Sequence, residues 1–133
     1  MKIKTAKNLI VKIFLQHKLS LNHSKICADA LINAELVGAP SHGFARIASY
    51  CNRLKKKVIN PKPKISVKNI SSSITSIDAN NAIGFVGASL GMSQAIKNAK
   101  KTGFGLVAVK NSGHYGLSGY YAEKAANKGL VAL

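Results

Sequence analysis

Acidic residues are scarce: four Asp and Glu stand against twenty Lys and Arg, leaving a formal charge of +16. Such a field raises the local concentration of any polyanion and works against self-association. Nucleic acid is therefore the first partner to weigh, and the other scarcities weigh against it. Tryptophan is absent, aromatics are 6% of the chain, and no helix-turn-helix or RNA-binding signature appears. Arginine is rare as well, since only Arg46 and Arg53 are guanidinium and the other eighteen cations are Lys. Base-edge and phosphate recognition favours the bidentate Arg fork. The Lys excess accompanies many Ile and Asn, three residue types with A/T-rich codons, so most of the charge reads as composition drift on solvated faces.

The two cysteines, Cys27 and Cys51, form neither a C-x-x-C nor a zinc-ligand spacing, and no metal is expected. Both fall on apolar helical positions and read as buried free thiols in a reducing cytoplasm. The N-terminal MKIKTAKNLIVKIFLQHK contains no long apolar run and is too charged for a signal peptide or a membrane span. A cytoplasmic location is expected. The length, 133 residues, suits one ordinary domain and is too short for a complete two-domain enzyme. Hydrophobic residues, at 47%, are enough for a folded core.

The first sixty residues read as helices. Ile3, Ile10, Ile13 and Phe14 recur at helical spacing, and Ser20 or Asn22 can cap a second helix carrying the stripe Cys27, Ala30, Leu31, Ala34. Gly38 and Pro40 stop it. Ser41 sits where the next N-cap belongs, ahead of Ile47, Tyr50, Cys51 and Leu54, and Lys55 to Lys57 suit the negative end of that helix. The segment NPKPK, residues 60–64, is extended punctuation. Beyond it the pattern predicts a strand over Ser73 to Asp78, a turn over Ala79 to Asn81, and a helix from about Ile83 to Lys101. Phe85, Ala88, Met92, Ala95, Ile96 and Ala99 line one face of that helix. GLVAV, residues 105–109, reads as a strand buried in a parallel sheet. A Gly-rich loop, a helix from about Ser118 to Asn127 and a strand opening at Leu130 complete a βαβ unit. The fold class is thus α/β (α+β), with a helical N-terminal segment over 1–60 and the start of an α/β domain over 61–133. A chain ending four residues into a strand is expected to be the N-terminal part of a longer protein.

Two polar constellations can carry chemistry. The first is Ser41-His42-Gly43 with Arg46 and Tyr50, where steps of four place His42, Arg46 and Tyr50 along one helical stripe. Arg46 can grip a small carboxylate bidentately beside a helix N-terminus, and Ser41 next to His42 permits a proton relay. The bland alternative is a capping serine, a turn histidine and a solvated arginine. The second is the loop NSGHYGLSG, residues 111–119. Its glycines stand at G-x-x-G-x-x-G, which is not the Rossmann fingerprint G-x-G-x-x-G. Backbone amides in such a loop still approach an anion at a helix start. His114 sits where α/β ligands bind, whereas His17 and His23 read as surface residues.

These motifs carry a resemblance. S-H-G-x-x-R-x-x-x-Y from Ser41, D-A-x-N-x-x-G from Asp78 to Gly84, and V-A-V-x-N-S-x-H-[FY]-G with its G-Y-Y tail stand in order along the chain. Together GAPSHGFARIASYCNRL and VAVKNSGHYGLSGYYAEKAANKGLVAL resemble the malate/L-lactate dehydrogenase family, which includes ureidoglycolate and sulfolactate dehydrogenases and piperideine-2-carboxylate reductase. That family does not use the Rossmann nucleotide fold, in keeping with the missing fingerprint. The resemblance implies an oxidoreductase using NAD or NADP on a small 2-hydroxy or 2-oxo acid. It implies His114 as general acid/base beside the nicotinamide, Ser41 and His42 as a relay, and Arg46 and Tyr50 as ligands of the substrate carboxylate. Cofactor contacts then fall to His114, Tyr115, Gly116, Leu117 and Ser118. Gly113 replaces a commoner polar residue and Tyr115 a commoner Phe. Family members are more than twice this length and dimeric, so a homodimer is implied for the full protein, and this piece alone is expected to be inactive. A basic nucleic-acid-binding module is the rival reading.

Overall fold

The computed structural model describes residues 2–133. Two helices packed against each other open it: α1, Ile3–Gln16, and α2, Leu21–Leu36. The α1 stripe Ala6, Ile10, Phe14 is buried against the α2 face containing Cys27, Ala30, Leu31 and Ala34. Of the four α1 positions expected from periodicity, Ile3 is exposed and Ile13 half-buried. Ser20 is the cap of α2, its hydroxyl accepting from His23 N at 3.1 Å. Such a bond satisfies a donor the first helical turn otherwise leaves unpaired.

Ser41 does not cap the third helix. Residues Pro40–His42 and Phe44–Arg46 form two short 3₁₀ turns, and α3 runs only over Ile47–Lys55. The reason lies in Glu35, whose carboxylate accepts from Phe44 N at 2.6 Å and occupies the space a side chain at Gly43 would need. The chain is tethered to α2 at Gly43 and cannot wind continuously from Ser41. His42, Arg46 and Tyr50 therefore occupy three successive elements, and no helix start lies at Ser41.

The sheet has three strands in the order β1 (Ser66–Asn69), β2 (Ile74–Ala82), β3 (Leu106–Ser112). β1, a four-residue exposed edge strand that periodicity missed, pairs antiparallel to β2, and β2 pairs parallel to β3. The crossover between the parallel pair is α4, Gly84–Thr102. The βαβ unit is therefore β2–α4–β3. The one expected around the last helix, α5 (Ser118–Ala126), does not form, because Leu130 to Leu133 pair with no strand and Val131 and Leu133 are exposed.

Two further expectations change. Ala79 to Asn81 is a bulge inside β2, where Asn80 and Asn81 take left-handed φ of 50° and 58° and the register to β3 shifts. Short amide side chains tolerate that conformation. Asn60 clamps it through Asn80 Oδ1 at 2.9 Å and Asn81 O at 2.8 Å. Second, β3 is parallel but not buried; as an outer strand it alternates between exposed and half-buried residues. The α4 stripe Ala88, Met92, Ala95, Ile96, Ala99 is likewise half-buried, facing an open apolar cleft of about 760 Å³ shared with Val107, Val109 and Ala125. The α4 face that packs inward carries Gly84, Phe85, Val86, Gly87, Gly91 and Asn98.

One core cluster takes Phe14, Leu31, Tyr50 and Leu54 from the first sixty residues and Ala79, Ile83, Phe85 and Val86 from the rest. Burying Phe85 alone is worth about 2–3 kcal/mol of hydrophobic stabilisation. Cys27 is buried and Cys51 only half-buried, and both are free thiols. Among the described residues no helix is long and apolar enough to cross a membrane, and no three His, Cys, Asp or Glu side chains cluster as a metal site.

Candidate active site

The position of the His114 loop follows from the strand that precedes it. In β2, just before the bulge, Asp78 accepts from Asn80 N at 2.9 Å and from Asn111 Nδ2 at 3.0 Å on each carboxylate oxygen. These bonds, with Lys110 nearby, hold the Asp78 carboxyl below the usual range and tie the bulge to the end of β3. Asn111 takes φ of 50° opposite the bulge, and the strand pairs once more, Ser112 with Ala82, before the loop begins. Gly84 then lies directly beneath the loop, and any Cβ at that position would collide with the carbonyls of Gly113 and His114. Gly116 closes the loop with φ of 81°, and a Cβ on it would stand 2.6 Å from the Phe85 ring. Both glycines are required by close approach, the second also by its backbone conformation.

The loop delivers His114 onto Tyr50. The Tyr50 hydroxyl is 2.8 Å from His114 Nδ1, and Gly116 N donates to the same nitrogen at 3.2 Å. Tyr50 itself is buried and packs edge-on against Phe85 at 5.0 Å between ring centroids. Its phenol is pushed up to about 12 by burial, with Arg46 pulling the other way, so the hydroxyl keeps its proton at neutral pH. With Nδ1 engaged, Nε2 of the exposed His114 points away from these contacts and has no hydrogen-bond partner among the described residues.

His42 stacks on His114, ring centroids 5.8 Å apart and planes within 25°. Ser41 Oγ is 3.1 Å from His42 Nδ1, so the expected Ser-His pair is formed; the step from His42 to His114 is a stacking contact and not a hydrogen bond. Arg46 donates from Nε to Ser41 O at 2.8 Å, which fixes the side chain while its terminal nitrogens make no ion pair with any described carboxylate. The imidazole of His114 is held below its ordinary value of 6.5, first by partial desolvation and then by the charges of Arg46, His42 and Arg53. Positive neighbours disfavour a further positive charge.

Ser41, His42, Arg46, Tyr50 and His114 thus meet in one place although 64 positions separate the last two. The remaining loop residues form the entry to α5: Tyr115 Oη lies 3.2 Å from Ser118 Oγ, Tyr121 Oη donates to Tyr115 O at 2.7 Å, and Leu117 precedes the first helical turn with no side-chain cap. Arg53, Phe85 and Tyr121 also build the site and were not assigned to it from sequence, while Gly84 entered only as the last position of the D-A-x-N-x-x-G motif. Arg53 alone had a usable signal, since it follows Tyr50 by three positions and Arg46 by seven.

Known proteins show the same arrangement of chain. The profile of the family described as malate/L-lactate dehydrogenase matches residues 1–133. The L-sulfolactate dehydrogenase of Methanocaldococcus jannaschii is 36% identical over 133 residues, covering 100% of this chain and 39% of that protein. The ureidoglycolate dehydrogenase of Escherichia coli K12 is 32% identical over 129 residues, 97% of this chain and 37% of that protein. In three dimensions the malate dehydrogenase of Pyrococcus horikoshii OT3 superposes with a TM-score of 0.93 at 36% identity, over 97% of this chain and 37% of that one. The chain therefore spans less than half the length of these relatives, matching the N-terminal parts of dehydrogenases. It belongs to the malate/L-lactate dehydrogenase family.

Proposed function

We propose that the full-length protein is an NAD(P)-dependent oxidoreductase that interconverts a small 2-hydroxy acid and its 2-oxo acid, with His114 as general acid/base. The observation that carries this reading is an imidazole whose Nδ1 is held by Tyr50 while Nε2 has no hydrogen-bond partner among the described residues, in the field of Arg46, which makes no ion pair. The relatives named above are dehydrogenases of malate, sulfolactate and ureidoglycolate, which supports the substrate class.

Arg46 binds the carboxylate next to C2, in the bidentate geometry a guanidinium offers. That contact sets the C2 hydroxyl against His114 Nε2. In oxidation Nε2 takes the hydroxyl proton as the hydride departs from C2, and in reduction the imidazolium returns it to the carbonyl oxygen. While Nε2 is the base, Nδ1 must carry the other proton; the Tyr50 hydroxyl then accepts it, and the Gly116 N–H bond to Nδ1, which belongs to the other tautomer, is given up. A hydroxyl serves either tautomer, which an amide N–H such as that of Gly116 does not. Tyr50, expected to help bind the carboxylate, thereby gains a task in orienting the imidazole. Ser41 and His42 extend a polar path from the site.

A nicotinamide dinucleotide supplies the hydride acceptor or donor when bound. The residues present fit one end of such a group: Gly119, in the first turn of α5, leaves open space around its α carbon, and that turn begins without a side-chain cap. Unpaired amides at a helix start suit phosphate. His114, Tyr115, Gly116, Leu117 and Ser118 would line the nicotinamide side. The reading includes a homodimeric full-length enzyme in the cytoplasm. Loss of NADH and NADPH absorbance with a panel of 2-oxo acids tests it: turnover of at least one acid is expected, and none with either cofactor would reject the assignment.

A further inference from the structure

One peptide group of the His114 loop is held from both ends. Tyr121 Oη donates to Tyr115 O at 2.7 Å, and the N–H across that same peptide, Gly116 N, donates to His114 Nδ1 at 3.2 Å. The peptide is trans and planar, so its carbonyl and its N–H point in opposite directions and move as one plate. Neither end is loose. Tyr121 is buried, its ring set edge-on to Tyr120 at 5.1 Å and to Tyr115 at 5.8 Å. From α4 the Phe85 ring lies against Gly116, where a Cβ would stand 2.6 Å from it. A hydrogen bond accepted by the carbonyl also polarises the N–H across the peptide and strengthens it as a donor.

An amide N–H only donates, so Gly116 bonds Nδ1 only while that nitrogen carries no proton. The Tyr50 hydroxyl, 2.8 Å from the same nitrogen, accommodates either state. The choice of tautomer therefore falls to the peptide, and behind it to Tyr121. We propose that Tyr121 is a positioning residue for His114, keeping the Gly116 N–H on Nδ1 so that the resting neutral imidazole carries its proton on Nε2. The kinetic consequence rests on the oxidoreductase reading above; the tautomer itself is a property of the folded loop. Both the imidazolium and the Nδ1–H form that acts as base must release the Gly116 bond. The titratable and charged groups around His114 are the stacked His42, Tyr50 at Nδ1, and Arg46 and Arg53 through their charge. Asp78 and Lys110 pair with each other below the loop, α4 presents Gly84 and Phe85, and on α5 Lys124 covers the Tyr120 ring at 4.1 Å. Removing the Tyr121 hydroxyl alters none of these groups.

The test uses the full-length protein with ¹⁵N-labelled histidine. The ring nitrogens of His114, identified by their loss in His114→Asn, are read by proton–nitrogen correlation above the titration midpoint. Wild type is expected to show Nδ1 bare and Nε2 protonated. A neutral wild type with its proton on Nδ1 would overturn the proposal without any Tyr121 variant. Tyr121→Phe keeps the buried ring, and its two His114 nitrogen signals should move toward each other as the Nδ1–H form gains population. Loss of a bond that only the neutral ring can accept should also raise the midpoint of kcat/KM in oxidation by about half to one pH unit. Tyr120→Phe, which alters the neighbouring ring under Lys124, should leave both readouts at wild type. Equal shifts in the two variants would reject the proposal by making the effect one of α5 packing. Unmoved signals and an unmoved midpoint in an active Tyr121→Phe enzyme reject this inference alone. A wild type with the expected tautomer that turns over no 2-oxo acid rejects the enzymatic reading and leaves the role of Tyr121 in the loop standing.

Discussion

The Tyr50 hydroxyl lies 2.8 Å from Nδ1 of His114, so a buried phenol on α3 holds the direction of an exposed imidazole 64 positions later. Tyr50→Phe keeps the ring against Phe85 and removes only this bond. We expect kcat to fall about ten- to a hundredfold, the cost of losing one hydrogen bond to a group that becomes charged. KM for the 2-oxo acid should change little. A large rise in KM with kcat preserved would instead make Tyr50 a substrate ligand.

The environment of His114 fixes the sign of the pH dependence. Desolvation and the charges of Arg46, His42 and Arg53 depress its pKa, so the neutral imidazole dominates from below 6.5 upward. Oxidation needs that neutral form. Its kcat/KM should rise with pH to a midpoint below 6.5 and stay level above it. Reduction, which needs the imidazolium, should weaken as pH rises through the same midpoint. Arg46→Gln removes one depressing charge and should move the midpoint upward. A wild-type midpoint above 6.5 would contradict the assignment of this limb to His114.

Replacing Arg46 by Lys keeps a charge and removes the fork. Loss of the second hydrogen bond to the carboxylate should raise KM about tenfold, with a smaller effect on kcat. Steady-state kinetics on a 2-oxo acid read this directly, and unchanged constants would leave Arg46 a solvated cation.

Gly84→Ala tests how the loop is seated. Its Cβ meets two backbone carbonyls that cannot rotate away. We expect a loss of about 1–3 kcal/mol in stability, seen as a lower Tm, together with reduced turnover from a displaced His114. A variant with wild-type Tm and activity would show that the loop is not held by this contact.

The sequence carried the site further than it carried the fold's edges. Periodicity located α1, α2, α4 and α5 because each buries one side, and the three motifs placed His42, Arg46, Tyr50 and His114 in one family pattern. Ser41 was misread as a cap because the Glu35–Phe44 tether is nine residues long and leaves no trace in local propensity. The Asn80–Asn81 bulge mimics a turn, since the same left-handed asparagines serve both. β1 is wholly exposed and shows no alternation to read. GLVAV looked like a central strand; its exposure follows from lying at the sheet edge in this chain. Arg53 stands at a helical step from Tyr50, yet its charge acts on His114, sixty-one positions away, and that proximity comes only from the fold.

The most direct test of His114 as the proton-transfer group is His114→Asn in the full-length enzyme, followed by nicotinamide absorbance with the best 2-oxo acid. His114 is exposed and its only hydrogen bonds are within the site, so thermal unfolding should match wild type. Turnover should fall about 10²- to 10⁴-fold. Turnover within a few fold of wild type, in a protein that unfolds normally, would contradict the account.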